Sequence, residues 1–299
     1  MKLPDLEELL GLRGAARAVG LRTRGPARAQ LLGSHRGAHR GRGLEFEEVR
    51  PYVPGDDSRS IDWRVTARRG RLHTKLFREE RERPVWLLVD LQPGMFFGSR
   101  AQLKSAVAVR AAALLAWATL SGGDRVGAVI ANGTQTRCLA PRSREAGVLP
   151  ILNALLELQP RAPAQPAPET LNEALGALAP LVHPGSLILA LSDFAGVNDV
   201  DEARWLRLAA HAECRLYFIT DAIEERGLPD GKFRGGLPGR LWPLDGAALR
   251  ARWQESFRQR SLRVQAISER LRTPLTRLDT AEAVEHVLPL MPRAPQFAA

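Results

Sequence analysis

The sequence predicts a mixed α/β protein in which helices cover both faces of a mainly parallel β-sheet. From Pro84 onward, short apolar runs typical of buried strands alternate with longer amphipathic segments typical of helices. The chain has 299 residues, of which 44% are hydrophobic, so it can bury one large core or two modest ones. We therefore predict a main α/β domain with a smaller attachment.

Hydrophobic periodicity assigns each element in turn. After Pro84, the predicted strands are 85–91, 125–131, 135–140, 186–191, 215–220 and 274–278. The predicted helices are 101–120, 145–158, 171–182, 201–212, 247–272 and 281–287. Glycine and proline between 223 and 243 predict an insertion or an edge hairpin.

The residues before Pro84 follow different patterns. Leu6 to Val19 has helical spacing, and we expect this helix to dock on the main domain. Alternation over 44–52 and 72–81 predicts a β-hairpin, with a short helix at about 61–69 between its strands. We predict four segments: a basic helix and arm (1–43), a hairpin region (44–84), the α/β domain (85–290) and a tail (291–299).

The basic charge is concentrated near the amino end. The formal net charge is +10, and residues 1–43 hold nine Lys or Arg against three Asp or Glu. Such a segment can bind phosphate backbones or an acidic protein surface, or it can be a solvated arm. Residues 20–43 contain no aromatic side chain, which argues against recognition of single strands by stacking. The residues available for polyanion binding are Arg22, Arg24, Arg28, Arg36, Arg40 and Arg42.

Membrane and thiol signals are weak. The longest uncharged apolar stretch, around 111–120, is shorter than the roughly 20 residues that cross a bilayer, and we expect no transmembrane segment and a cytoplasmic location. Cys138 and Cys214 lie in apolar strand-like runs, so we expect two buried free thiols.

A charged turn between the hairpin strands is the most specific motif. It comprises Tyr52, Gly55, Asp56, Asp57, Arg59, Ile61, Asp62 and Trp63, with Ala67 and Arg68 shortly after. This stretch resembles the hallmark of the bacterial domain of unknown function 58 family. The resemblance extends over about residues 30–290.

The resemblance implies both a fold and a partner. The implied fold is von Willebrand factor A-like, a doubly wound and mainly parallel sheet, here with an N-terminal helix and a β-hairpin attachment. Genes of this family usually accompany AAA+ ATPases of MoxR type, and each pair is thought to act in protein assembly or maturation. The implied partners are therefore such an ATPase and a client protein.

The resembled fold often carries a metal-ion-dependent adhesion site beyond the carboxyl ends of its strands. Asp90 matches the first acid of that site, Thr170 its threonine and Asp193 its last acid. Gln92 and Gly94 replace the two serines, which weakens the case for Mg²⁺ because this ion tolerates little deviation from octahedral geometry. The alternatives are a degenerate Mg²⁺ site and carboxylates that only bond backbone amides or cap helices.

The acids of the charged turn are open to two interpretations. Paired carboxylates such as Asp56 and Asp57 can perform acid–base catalysis when burial separates their pKa values. The structural interpretation is that Arg59 or Arg64 pairs with Asp56 or Asp57, that Asp62 starts a helix, and that Trp63 is an anchor. We favour the structural interpretation.

Enzymatic signatures are otherwise absent from the sequence. There is no Gly-x-Ser-x-Gly elbow and no phosphate-binding loop that ends in Gly-Lys-Ser or Gly-Lys-Thr. We expect a non-enzymatic adaptor protein that works with a MoxR-type ATPase through the degenerate adhesion site. The alternative is a nucleic-acid-associated protein that binds through its arginine-rich arm, and a metal-dependent hydrolase is a third.

Overall fold

Ten strands and nine helices are defined in the part of the chain that the computed structural model describes, residues 1–19, 44–56, 58–79, 82–197, 199–237 and 239–287. The strands are β1 (Leu44–Pro51), β2 (His73–Glu79), β3 (Pro84–Asp90), β4 (Arg125–Ala131), β5 (Thr136–Arg142), β6 (Leu187–Ser192), β7 (Glu213–Thr220), β8 (Lys232–Leu237), β9 (Arg240–Asp245) and β10 (Leu275–Asp279). The helices are α1 (Leu6–Val19), α2 (Trp63–Arg69), α3 (Lys104–Ser121), α4 (Glu145–Leu158), α5 (Thr170–Leu178), α6 (Asp199–Ala209), α7 (Ala222–Arg226), α8 (Gly246–Leu271) and α9 (Val284–Val287).

Six strands form the central sheet in the order β10-β7-β6-β3-β4-β5. All neighbouring pairs are parallel except β4 and β5, which confirms the predicted mainly parallel sheet. The inner strands β3, β4 and β6 are almost wholly buried, as expected for strands covered on both faces. The antiparallel edge strand β5 alternates between exposed and half-buried residues.

Helices cover the two faces of this sheet and define two apolar cores. Successive residues of β3 enter opposite cores: Leu87 and Val89 lie on one side, Trp86 and Leu88 on the other. The first core is completed by α1, α3 and α4, and the second by α5, α6 and α8. Because successive side chains of a strand point to opposite faces of the sheet, a fully apolar strand contributes to both cores.

Helix α3 is buried on nearly all sides because α1 packs against it. Leu9 and Ala16 of α1 are fully buried, and the indole N–H of Trp117 in α3 donates to the carbonyl of Leu9 at 3.0 Å. Glu8 also pairs with Arg110 of α3. The prediction that the first helix docks on the main domain is confirmed.

The chain divides into two compact units, residues 1–25 with 83–299, and residues 26–82. This division differs from the predicted segments because α1 belongs with the sheet instead of with the basic arm. In the second unit, β1 and β2 form an antiparallel pair with a register shift between Phe46 and Glu48. The hairpin prediction is confirmed within the described residues.

Several element bounds differ from those predicted. Helix α3 begins at Lys104, three residues later than expected, where the Lys104 amide donates to the carbonyl of Phe97 at 2.7 Å. Helix α5 ends at Leu178, and a 3-10 turn that contains Pro180 follows it, because proline cannot continue the hydrogen-bonding pattern of the helix. The glycine- and proline-rich region after Asp221 contains α7 and the two-stranded ribbon β8–β9.

Candidate functional site

Three aspartates lie where the parallel strands β3, β6 and β7 end, at the edge of the sheet where open α/β proteins collect ligands. Asp90 is the last residue of β3, Asp193 follows β6, and Asp221 follows β7. All three are buried. We call these residues, with the side chains that bond them, the strand-end cluster.

Asp90 is held by two hydrogen bonds inside the cluster. Its carboxylate accepts from the Ser192 hydroxyl at 2.7 Å and from the Gln92 amide at 3.0 Å. Burial, with a further contribution from the Asp193 carboxylate, raises the pKa of Asp90 to about 7. Asp90 is thus a buried acid that changes charge near neutral pH.

Gln92 and Thr170, two of the predicted metal ligands, instead hold loops together. The Gln92 side-chain oxygen accepts from the Gly94 amide at 3.1 Å and from the Ala167 amide at 3.0 Å. The Thr170 hydroxyl donates to the Ala167 carbonyl at 2.6 Å. These bonds connect the loop after β3 to the start of α5.

Asp193 pairs with a lysine that the sequence analysis did not consider. The Lys104 ammonium lies 2.5 Å from an Asp193 oxygen and 3.2 Å from a Glu224 oxygen, and the Lys104 and Asp193 side chains are each only 3% exposed. Burial opposes the charge on both groups, but their attraction keeps the pKa of Asp193 below and that of Lys104 above its usual value.

Arg260 of α8 completes this ion-pair network. Its guanidinium bonds Glu224 at 2.7 Å and lies 3.9 Å from Asp193. It also packs over the rings of Phe218 and Phe257. The network therefore joins α3, α7 and α8 at the end of β6, with two cations facing two carboxylates.

Asp221 is satisfied within the fold as well. It accepts from the amide and hydroxyl of Ser99 and from the Thr280 hydroxyl, which lies at 2.5 Å. Burial opposes ionisation of Asp221, but the Ser99 and Thr280 bonds leave its pKa below the usual value. Asp221 also caps α7 through its bond from the Ile223 amide at 3.0 Å.

The residues at the predicted metal site do not fit Mg²⁺. Asp193 faces an ammonium group, and the oxygens of Gln92 and Thr170 are engaged with backbone groups. Mg²⁺ requires oxygen ligands in near-octahedral geometry, and a buried lysine beside one of its acids repels it. Within the described residues, no group of three or more His, Cys, Asp or Glu is placed to hold a metal ion.

The charged turn of the second unit is built by local bonds. Asp56 accepts from the Arg50 guanidinium at 2.7 Å and the Val53 amide at 3.0 Å, and these bonds lower its pKa. Arg50 thus takes the role at Asp56 that the sequence analysis gave to Arg59 or Arg64. Gly55 has a φ of 110°, a conformation that favours glycine.

Asp62 begins α2 as predicted, and Trp63, its first residue, is exposed instead of packed in a core. The Asp62 carboxylate accepts from the amides of Arg64 at 2.9 Å and Val65 at 3.1 Å, which is the geometry of a helix N-cap. Trp63 is 68% exposed, and α2 as a whole has no buried residue. Tyr52 is half-buried, and its amide donates to the Leu72 carbonyl at 2.9 Å.

The end of the hairpin near α2 carries an exposed surface that is both basic and apolar, which we call the α2 face. The backbone bond from Tyr52 to Leu72, with that from Asp62 to the His73 carbonyl at 2.8 Å, brings its parts to one end of the hairpin. Its side chains are all exposed, and its arginines form no ion pair with a described carboxylate. The α2 face comprises Val53, Trp63, Arg64, Arg68, Arg69, Arg71 and Leu72.

Other predicted site residues lie outside the described part of the chain. Asp57 of the charged turn is one of them, and the arginines of the proposed polyanion-binding arm are the others. Those arginines are Arg22, Arg24, Arg28, Arg36, Arg40 and Arg42. Their roles stay predictions.

The two thiols differ, so the expectation of two buried cysteines was wrong for one of them. Cys214 is buried in β7, and burial raises the pKa of its thiol to about 12. Cys138 is exposed, because it lies on the antiparallel edge strand β5, whose residues alternate between exposed and half-buried. No helix in the described ranges combines the length and apolar character needed to cross a bilayer.

Two mycobacterial proteins are similar to this chain in sequence. An uncharacterized protein of Mycobacterium bovis, Mb1516, is 34% identical over 223 residues, which are 73% of this chain and 68% of the relative. The uncharacterized protein Rv1480 of Mycobacterium tuberculosis matches to the same extent.

Two solved structures are distantly similar. The conserved hypothetical protein BatB from Bacteroides thetaiotaomicron is 13% identical, with a TM-score of 0.45 over 68% of this chain and 94% of that one. An uncharacterized membrane spanning protein from Vibrio fischeri is 18% identical, with a TM-score of 0.24 over 67% of this chain and 92% of that one. Neither similarity defines the fold or the function.

Sequence similarity is more specific than these structural matches. The model of the family described as "Protein of unknown function DUF58" matches residues 48–233, a range that contains the whole charged turn, Asp90, Thr170 and Asp193. This chain belongs to the DUF58 family.

Proposed function

We propose that this protein is a non-enzymatic adaptor of the von Willebrand factor A-like class that binds an AAA+ ATPase of MoxR type and helps it act on a client protein. The fold and the ATPase are the expectations that the family resemblance raised. The observation that carries the proposal is the α2 face, where Trp63 is 68% exposed in a turn that hydrogen bonds hold in place.

The composition of the α2 face suits protein binding. Tryptophan and arginine are the side chains that most often contribute large shares of binding energy in protein interfaces. Residues 63–72 contain four arginines and no carboxylate, so the face complements an acidic surface. A fixed turn reduces the entropy lost when a partner binds.

The strand-end cluster supports a different role. Its acids bond to Lys104, Ser192 and Ser99 within the fold, and they offer no exposed carboxylate to bridge a metal to a partner. The cluster therefore stabilises the α/β unit, and the α2 face takes the binding role expected of the adhesion site.

Binding to a purified MoxR-type ATPase from the same organism tests this proposal. We expect Trp63→Ala to weaken the affinity by about tenfold or more, because truncating a central tryptophan commonly has an effect of this size. Arg68→Glu combined with Arg69→Glu weakens it further, most strongly at low salt. Leu262→Ala removes a side chain of α8 that is 51% exposed and serves as the matched control.

Two further results separate the alternatives. Binding through the α2 face persists in EDTA, whereas a metal-bridged contact is lost. Equal affinities of wild type, Trp63→Ala and the double arginine variant would contradict the proposal. Binding of an oligonucleotide instead of the ATPase would favour the arginine-rich arm.

A further inference from the structure

The ribbon β8–β9 is separate from the central sheet and has two outer strand edges of its own. Among the residues that the structure describes, its two strands pair only with each other. The family match ends at residue 233, so most of the ribbon lies beyond the part of the chain that the family model matches. Only Phe233, Gly235 and Leu244 among the described ribbon residues 232–236 and 240–245 are even half-buried.

The pairing register shows which backbone groups face outward. The amide of Gly246 donates to the Gly231 carbonyl at 2.9 Å, so bonded pairs alternate from there through Phe233 with Leu244 and Gly235 with Trp242. The N–H and C=O groups of the intervening β8 residues, Lys232, Arg234 and Gly236, therefore face away from β9.

The outer edge of β9 is less suitable for a further strand. Its corresponding residues are Leu241 and Pro243, and Pro243 has no N–H to donate. On β8, each of the corresponding residues Lys232, Arg234 and Gly236 has an N–H that can donate. Within the described residues, backbone hydrogen bonds between loops and turns do not reach Lys232, Arg234 or Gly236.

The ribbon is basic and apolar on its exposed surface. Lys232, Arg234 and Arg240 are exposed, and residues 231–244 contain no acid. The flanking acids are already engaged: Asp230 pairs with Arg250 at 2.7 Å, and Asp245 caps α8. The ribbon therefore complements a segment that carries negative charge.

Apolar side chains accompany these charges in a fixed arrangement. Leu241 is 56% and Trp242 44% exposed. Gly236 has a φ of 147°, and a Cβ there would lie 2.6 Å from the Trp242 ring, so the indole packs directly against the glycine backbone. The Arg240 guanidinium lies 5.3 Å from the centre of the same ring.

We propose that the outer edge of β8 binds an extended acidic segment of a partner protein by adding it as a third strand. Backbone groups at Lys232, Arg234 and Gly236 supply hydrogen bonds, and the basic side chains select acidic residues. A second copy of the same edge is disfavoured, because it would place like charges opposite each other. This site is independent of the α2 face.

Fluorescence anisotropy with short labelled peptides tests the proposal. The probe alternates glutamate and valine over about six residues, the usual length of a strand. The control probe alternates lysine and valine, and a third probe carries N-methyl groups on alternate acidic-probe residues. We expect the acidic probe alone to bind, and N-methylation to weaken binding by about tenfold, as expected for lost backbone bonds.

Protein variants separate the contribution of backbone hydrogen bonds to binding from the contribution of side-chain charge. Arg234→Ala removes the charge, and Arg234→Pro also removes the outward N–H, so the proline variant should bind less tightly than the alanine variant. Circular dichroism checks that both fold, and the N-methylated probe tests the same bonds without altering the protein. Leu149→Ala, at an exposed site on α4, should bind like wild type.

Three results would overturn the proposal. One is absence of binding by the acidic probe, and another is equal binding of the methylated and unmethylated probes to the wild type. The third is tighter binding of an oligothymidine or of anionic phospholipid vesicles that displaces the acidic probe, because either would identify a different class of ligand.

Discussion

The strand-end cluster and the α2 face use charge in opposite ways. In the cluster, Lys104 and Asp193 are each 3% exposed and are matched inside the fold. On the α2 face, Arg64, Arg68 and Arg69 are exposed and form no ion pair with a described carboxylate. The strand-end acids thus bond within the fold, whereas Trp63 and these arginines are exposed at the surface of the described residues.

Replacing Lys104 gives the largest expected effect. Lys104→Met leaves the Asp193 carboxylate buried without its nearest cation, and breaking a buried pair in this way costs about 3–5 kcal/mol. Urea denaturation followed through the buried Trp117 and Trp205 measures the change in unfolding free energy. Arg258→Met, which breaks an exposed pair with Glu255, is the control and should unfold at the wild-type midpoint. A Lys104→Met protein as stable as wild type would show that the cluster does not stabilise the sheet.

The next effect is a dependence of stability on pH through Asp90. Its folded pKa of about 7 lies above its ordinary value, so between about pH 4 and 7 the folded protein holds a proton that the unfolded chain has lost. This contribution to stability is present in acid and is lost as the pH rises through 7, with a slope of up to about 1.4 kcal/mol per pH unit. Asp90→Asn removes it.

Comparison of the two proteins isolates that contribution from all other titrating groups. The unfolding free energy of Asp90→Asn minus that of wild type should increase with pH up to about 7 and then level off. Urea denaturation at matched ionic strength from pH 4 to 8 provides the values. Parallel curves across this range would mean that Asp90 keeps an ordinary pKa.

A smaller effect is expected at the start of α2. Asp62→Ala removes the carboxylate that accepts from Arg64 and Val65, and loss of an N-cap costs about 1 kcal/mol. Hydrogen exchange should show faster opening of α2 amides, with no change in β3 or β6. Asp62→Asn retains an accepting oxygen and should preserve most of the protection. If exchange rises equally in both variants, charge instead of capping holds the helix.

The smallest effect concerns Mg²⁺. Because Lys104 already pairs with Asp193, calorimetry should detect no heat of Mg²⁺ binding, and Mg²⁺ should leave the thermal midpoint unchanged. Choline chloride at equal ionic strength is the control for general salt effects. A saturable signal that disappears in both Asp90→Ala and Asp193→Ala would restore the metal-bridging hypothesis and break the contrast between the two regions.

The sheet could be predicted from sequence because its signals are local. The apolar runs that end at Asp90 and Ser192 identify buried strands, and the helical spacing between 145 and 158 matches α4. The position of Asp62 before a short helix identifies its cap. Each of these predictions depends on neighbours within a few residues, where hydrophobic period and capping chemistry determine structure.

The partner of Asp193 could not be predicted because it lies far along the chain. Lys104 is 89 residues from Asp193 and 120 residues from Glu224 along the chain. A lysine at the start of an alanine-rich helix is ordinarily solvent-exposed. One signal was available. The chain has only four lysines among 43 basic residues, and one of them stands at the start of an apolar helix. The exposure of Trp63 was equally hidden, since no local pattern shows that α2 lacks a core beneath it.

The packing of α1 on α3 has a consequence for synthesis of the protein. The Trp117 indole reaches the Leu9 carbonyl across 108 residues. Ribosomes add about 5–20 residues per second, so roughly 5–20 seconds separate the two partners. During that interval the apolar side chains of Leu9, Leu12 and Ala16 have no α3 to cover them. Helix α1 must therefore wait for its binding surface, and a chaperone that holds nascent chains has a target there during that interval.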